Sequence, residues 1–152
     1  MLLVDAANVV GSRPDGWWRD RAAAACGFVE RLRAATLAGR LAPPVVVVLE
    51  GAARSGVAPG EEAGVRVLHA TASGDDLLVE LAMSSPRPVV LVSADRQLRR
   101  RTGAAGARAV GPDWLYARID GCLPVQAPPV LTEEAQPGRA RHRATGDAQR
   151  CT

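Results

Sequence analysis

The apolar positions of the chain fall into short continuous runs, separated by stretches of helical period. "LLVDA" (residues 2–6) reads as a strand, "PPVVVVLEG" (43–51) as a second opened by prolines, and "VRVLHA" (65–70) as a third. "PVVLVSA" (88–94) and the short "ARAVG" (107–111) supply a fourth and a fifth. "PDGWWRDRAAAACGFVERLRAATLAGR" (14–40) predicts one long helix, with Asp15 as N-cap and Gly39 as stop. "SGDDLLVELAMSS" (73–85) predicts a second, with Leu77, Leu78, Leu81 and Ala82 on one face. A third follows from Arg96 to Thr102, and "PDWLYARID" (112–120) gives a last, with Pro112 in its first turn. The polar, glycine-rich "AARSGVAPGEEAG" (52–64) reads as a loop.

Val/Leu strands without polar alternation are buried on both faces, and helices between them supply the cover. The expected fold is therefore α/β: a three-layer α/β/α arrangement around a central, mostly parallel sheet of about five strands. After Leu131 the segment "TEEAQPGRARHRATGDAQRCT" has no apolar period, which predicts one domain over 1–131 and a disordered tail over 132–152.

Composition changes this picture little. A chain of 152 residues, 47% hydrophobic and 23% charged, suits one soluble domain. No apolar run reaches the roughly 18 residues of a membrane span. The N-terminus meets Asp5 without a basic leader, so a cytoplasmic protein with no membrane partner is expected. Cys26, Cys122 and Cys151 are odd in number and lack CxxC spacing, against a disulfide framework or a zinc site. The net charge is +3 and all 19 basic residues are arginine; Arg99, Arg100 and Arg101 cluster, which permits a polyanionic partner or simply a solvated helix face.

The chemistry lies where strands end. In open parallel α/β sheets ligands bind at the carboxyl ends of the strands. Three independent segments place acids there: "LLVDAAN" leaves its strand through Asp5 and Asn8, "HATASGDDLL" opens a helix with Asp75 and Asp76, and "VLVSAD" ends in Asp95. Each has a plainer reading. Asp75 and Asp76 suit a helix N-terminus, and Asp95 suits a helix cap. Asp5, deep in an apolar run, needs a specific reason. Together, carboxylates on one rim repel one another unless a hard cation sits among them, and an all-oxygen set suits magnesium or manganese.

These segments also resemble a family. "LLVDAANVV" resembles the opening "VDGxN" motif of NYN-domain proteins, a branch of the PIN-like ribonucleases; "SGDDLLVELA" is similar to their paired aspartates, and "VVLVSADRQLRRR" to their strand followed by S-x-D-R-x-L. The resemblance covers about residues 1–122, with Ala6 and Ala7 departing from the usual motif. It implies magnesium- or manganese-dependent hydrolysis of RNA phosphodiester bonds. Asp5, Asp76 and Asp95 would be metal ligands, Asp75 a ligand or orienter, and Asn8 a polar group for a water or a phosphate oxygen. Ser93 would face the same cleft, and Arg96 and Arg99 would meet substrate. The family's strand order would set the first strand beside the fourth. Single-stranded RNA is the implied partner, with room for a homodimer and for a protein regulator such as an antitoxin.

The remaining candidates divide. Trp17 and Trp18 could stack on unpaired bases, or one could anchor a helix to the core. Glu50 reads as an edge-strand acid facing water, Asp20 and Asp113 as helix acids, and His69 as a structural or rim residue. A dinucleotide site lacks its G-x-G-x-x-G after the first strand, and a P-loop is absent. An aspartyl-nucleophile phosphatase would need an aspartate where Ala7 stands. A metal-dependent nucleotide pyrophosphohydrolase shares the chemistry but lacks its E-x-x-E helix, and a non-catalytic RNA- or protein-binding PIN-like module is the alternative of another class.

Overall fold

The computed structural model describes residues 1–121. The expected tail, the domain end at 131, and Cys122, His142 and Cys151 lie outside the described residues. Six strands form one sheet: β1 (Leu2–Asp5), β2 (Val45–Leu49), β3 (Gly60–Glu62), β4 (Val65–His69), β5 (Val90–Val92) and β6 (Arg108–Val110), in the order β3-β4-β2-β1-β5-β6. All neighbours are parallel except β3, which pairs antiparallel with β4. The helices are α1 (Ala6–Gly11), α2 (Arg21–Leu37), α3 (Gly74–Ser84), α4 (Arg96–Ala104) and α5 (Pro112–Ile119). Short 3-10 segments run over Trp17–Arg19 and Gly51–Gly56.

The two-residue period of the strands sorts the core into two layers. Leu2, Val4, Val45, Val47 and Leu49 pack on one face with Phe28, Val29 and Leu32 of α2 and Leu115 of α5. Leu3, Val46, Val48 and Leu91 pack on the other with Leu78 of α3 and Leu98 of α4. Burying a side chain of this size contributes roughly 1.5–3 kcal/mol. Helix α2 meets its layer through Ala25, Phe28, Val29, Leu32 and Ala35, one stripe at helical spacing. This is the expected three-layer α/β fold, with the first strand beside the fourth of the five expected strands.

The sheet's order positions the site. From β1 the chain winds outward through β2 and β4, then returns to the other side of β1 to lay down β5 and β6. The winding reverses between β1 and β5, which opens a crevice at the carboxyl ends of those two strands. Asp5 and the Ser93–Asp95 turn leave their strands at that crevice.

Three local expectations are corrected. The long helix expected over 14–40 begins only at Arg21, capped by Asp20, whose carboxylate accepts from the Ala23 amide at 2.9 Å. Gly16, at φ +88, breaks the helical path, so Asp15 caps only the Trp17 turn, accepting from the Trp17 amide at 3.3 Å. Gly39 does stop the helix, in the left-handed region at φ +70. The six-residue α1 follows Asp5 directly, in a segment to which the sequence pattern assigns no helix. The expected loop over 52–64 carries β3, whose fully exposed Gly-Glu-Glu gives no apolar signal; Glu61 pairs with Arg66 and Glu62 with Arg33.

The Gly51–Gly56 segment lies so close to α2 that a β-carbon at Gly56 would overlap the backbone carbonyl of Ala22. Neither backbone can yield cheaply. Gly56→Ala is expected to destabilise the fold by at least the roughly 1–3 kcal/mol of ordinary overpacking. Urea denaturation checks this; an unchanged midpoint would show that the two segments are not packed in this way.

Candidate active site

The rim is built on one buried carboxylate. Asp5, 5% exposed, ends β1 and caps α1, with Oδ1 accepting from the Asn8 amide at 3.1 Å. Its Oδ2 accepts from the Ser93 hydroxyl at 2.8 Å. Ser93 in turn accepts from the Asp95 amide at 3.0 Å, and Asp95 caps α4 by accepting from the Leu98 amide at 2.7 Å. A continuous chain of hydrogen bonds thus fixes the ends of β1 and β5 together. A buried carboxylate needs such partners, because desolvation without them costs several kcal/mol.

Further acids reach the rim from the start of α3 and the end of β2. Ser73 caps α3, accepting from the Asp76 amide at 3.3 Å, and thereby places Asp75 and Asp76 in the first turn. Glu50, just past β2, reaches the same turn and accepts from the Gly74 amide at 2.9 Å. Gly74 makes room for it: a β-carbon there would lie 2.7 Å from the Glu50 carboxylate.

The electrostatics follow from this crowding. Burial raises the Asp5 carboxyl above its ordinary range; the Asn8 amide and Ser93 hydroxyl oppose that rise, and Asp75 and Glu50 add to it. Asp75 is raised by burial, then by repulsion from Asp95, Glu50 and Asp76, against a lowering by Arg101. Among the described residues, Asp5, Asp75 and Asp95 form no ion pair. The nearby Arg101 is paired with Asp76 instead.

The expected site residues separate accordingly. Asp75 stands close enough to repel both Asp5 and Asp95, and those two are joined through the Ser93 hydroxyl. Asp76, expected as a metal ligand, is turned to solvent with its side chain 69% exposed and pairs with Arg101 at 2.5 Å, so Asp75 takes the inward position. Ser93, expected to meet substrate, is fully buried and spends its hydroxyl on Asp5 and the Asp95 amide; it positions the acid instead. Asn8 contributes its backbone amide, and its residue is half-buried. Arg96 and Arg99 are both exposed on α4, and Arg96 lines an open groove with Arg100 and Arg101 that Arg99 does not join. Trp17 is half-buried and Trp18 is 52% exposed, their rings edge to face at 6.2 Å. His69 is structural, its ring nitrogen bonded to the Val57 carbonyl at 2.8 Å.

Glu50 is exposed, as expected, but it does not leave an edge strand. Strand β2 lies inside the sheet, between β4 and β1, so its terminal acid adjoins the rim. The signal available was the position of Glu50 at a strand end, matching those of Asp5 and Asp95.

Among the described residues no three His, Cys, Asp or Glu side chains stand close enough to hold one ion directly. The fit to a hard cation rests on donor chemistry: the acids at the crevice offer carboxylate oxygens, and the carboxyls of two of them, Asp5 and Asp75, are raised first by burial and then by neighbouring carboxylates. Magnesium keeps several waters and takes one or two carboxylates directly, so it does not require three acids in direct reach.

A solved structure, Rae1 (YacP) from Bacillus subtilis in a mutant form, is similar to this chain with a TM-score of 0.60 at 18% identity, covering 79% of this chain and 74% of that one. The likeness establishes the fold. No family model and no curated protein matches the chain. No helix among the described residues is long and apolar enough to cross a membrane.

A carboxyl with higher proton affinity in the folded than in the unfolded chain favours folding while protonated, and that contribution is lost as pH rises through its folded-state pKa. Ionised Asp75 therefore burdens the metal-free fold at neutral pH. Asp75→Asn is expected to be more stable than the parent in EDTA at neutral pH, with the gain shrinking on acidification and gone below the ordinary carboxylate range. Denaturation curves at both extremes check this; lower stability of the variant at neutral pH would contradict the crowding.

Proposed function

We propose that this protein is a magnesium- or manganese-dependent ribonuclease of the NYN/PIN-like type, hydrolysing phosphodiester bonds of single-stranded RNA. The observation that supports this reading is the rim beside the crevice where the sheet's winding reverses, where Ser93 ties Asp5 to the Asp95 turn and Asp75, from a third junction, repels both acids. Helix caps alone do not require acids from three junctions to stand so close that Asp75 is repelled by both Asp5 and Asp95.

Asp5, Asp75 and Asp95 would hold the ion, one or two of them directly and the rest through its waters. When bound, it would lower the pKa of a water and offset the charge that develops on the leaving 3′ oxygen. The chain's own residues do the rest. Ser93 and the Asn8 amide hold the Asp5 carboxylate in one orientation. Asp75, with raised proton affinity, is suited to take a proton from the attacking water. Arg96 and Arg100 line a groove on the α4 side that suits phosphate oxygens, and Arg101 restrains Asp76. Trp18 offers an exposed ring for stacking.

The second reading is a module that binds RNA on this surface without cleaving it. The absence among the described residues of three acids in direct reach of one ion favours it.

Asp95→Asn separates these readings, because asparagine caps a helix about as well as aspartate. The variant is expected to keep its melting temperature in EDTA. Its cleavage of a fluorescent single-stranded RNA in magnesium is expected to fall by more than the roughly 10–100-fold that loss of an outer-sphere partner costs a metal site. Cleavage by the parent should cease in EDTA. Tight binding by the parent with no cleavage would favour the binding module, and unchanged cleavage by the variant would remove Asp95 from the centre.

A further inference from the structure

A cavity of about 130 Å³ opens beside the acid rim, between α1, the Trp17–Arg19 turn, α2 and the Gly51–Gly56 segment. Alanines at 7, 25 and 53 leave the space, Trp17 forms its aromatic side, and Arg21 and Glu50 are its charged lining residues. We infer that this cavity binds one unpaired RNA base, with Trp17 as the apolar contact and Glu50 selecting bases that carry an exocyclic amine. The inference rests on the ribonuclease reading and names a specificity site for it.

Three features support it. The Trp17 ring is held before any ligand arrives: it lies against Gly11, where a β-carbon would touch it at 3.5 Å, and the Arg21 guanidinium stands 5.2 Å over it. A fixed aromatic loses little freedom on binding. Glu50 has one carboxylate oxygen on the Gly74 amide, and its other oxygen has no hydrogen bond among the described residues. An ionised carboxylate only accepts, so the base must donate. Cytosine, adenine and guanine present an amine; uracil sets carbonyl oxygens on both sides of its ring N–H, and these repel a carboxylate.

The third feature is position. Ala6 lines the cavity and follows Asp5 in the chain, while Glu50 faces both the cavity and the rim, where it repels Asp5 and Asp75. A base seated here brings its own phosphate to the acids. Recognition and cleavage would then share Glu50.

Oligocytidylate and oligouridylate of equal length test this, since their bases match in size and differ in the amine. Measured by fluorescence anisotropy in EDTA, the parent protein is expected to bind oligocytidylate about tenfold more tightly. Glu50→Gln, whose amide both donates and accepts, should bring the ratio close to one. Ala7→Leu, filling the cavity from an exposed position, should weaken oligocytidylate binding by about tenfold without loss of melting temperature. Equal affinities in the parent, or an unchanged ratio in both variants, would overturn the base site while leaving the ribonuclease reading intact if RNA is still cleaved in magnesium. Absence of both binding and cleavage with either oligonucleotide would overturn both.

Discussion

The hydrogen bond from the Ser93 hydroxyl to the buried Asp5 carboxylate is the contact on which the rest of the site depends. It joins the carboxyl ends of β1 and β5 at the place where the direction of winding changes. A carboxylate only 5% exposed would be untenable without compensation, and here both of its oxygens are occupied by donors from opposite sides of the crevice. Because Ser93 also receives the Asp95 amide, the same hydroxyl sets the start of α4. One interaction thereby fixes two acids and two helix entries.

Capping and function are carried here by the same atoms. Asp5 opens α1 and Asp95 opens α4 as caps, and Asp75 sits in the first turn of α3. The partial positive charge of helix N-termini favours these acids, while burial first, and repulsion from neighbouring carboxylates after it, raise the proton affinity of Asp5 and Asp75. Arg101 supplies nearby positive charge but is committed to Asp76. What remains is a cluster of acids whose repulsion no ion pair among the described residues relieves at Asp5, Asp75 or Asp95. Sites that retain such repulsion commonly do so because a ligand relieves it.

The sheet was legible in the sequence because Val/Leu runs buried on both faces leave no other reading, and the acids were legible because they interrupt those runs at their ends. Other features were not. Helix α1 has six residues and begins inside the first strand motif, too short to show a period. The choice between Asp75 and Asp76 turns on about 100° of rotation around a helix axis, which adjacent aspartates in a sequence do not reveal. The burial of Ser93 follows from the position of β5 between two strands, and the place of Glu50 from β2 lying inside the sheet. Both are consequences of strand order. Gly16 could have been read as the break it is, since a glycine between Asp15 and the two tryptophans is a natural place for a left-handed residue.

The central claim is that these carboxylates form one cation-binding centre, and the most direct measurement of it is anomalous diffraction from a crystal soaked in manganese. The account predicts a peak bounded by Asp5, Asp75 and Asp95, with Asp76 outside it. No peak at that position, in crystals where the rim is open to solvent, would contradict the account.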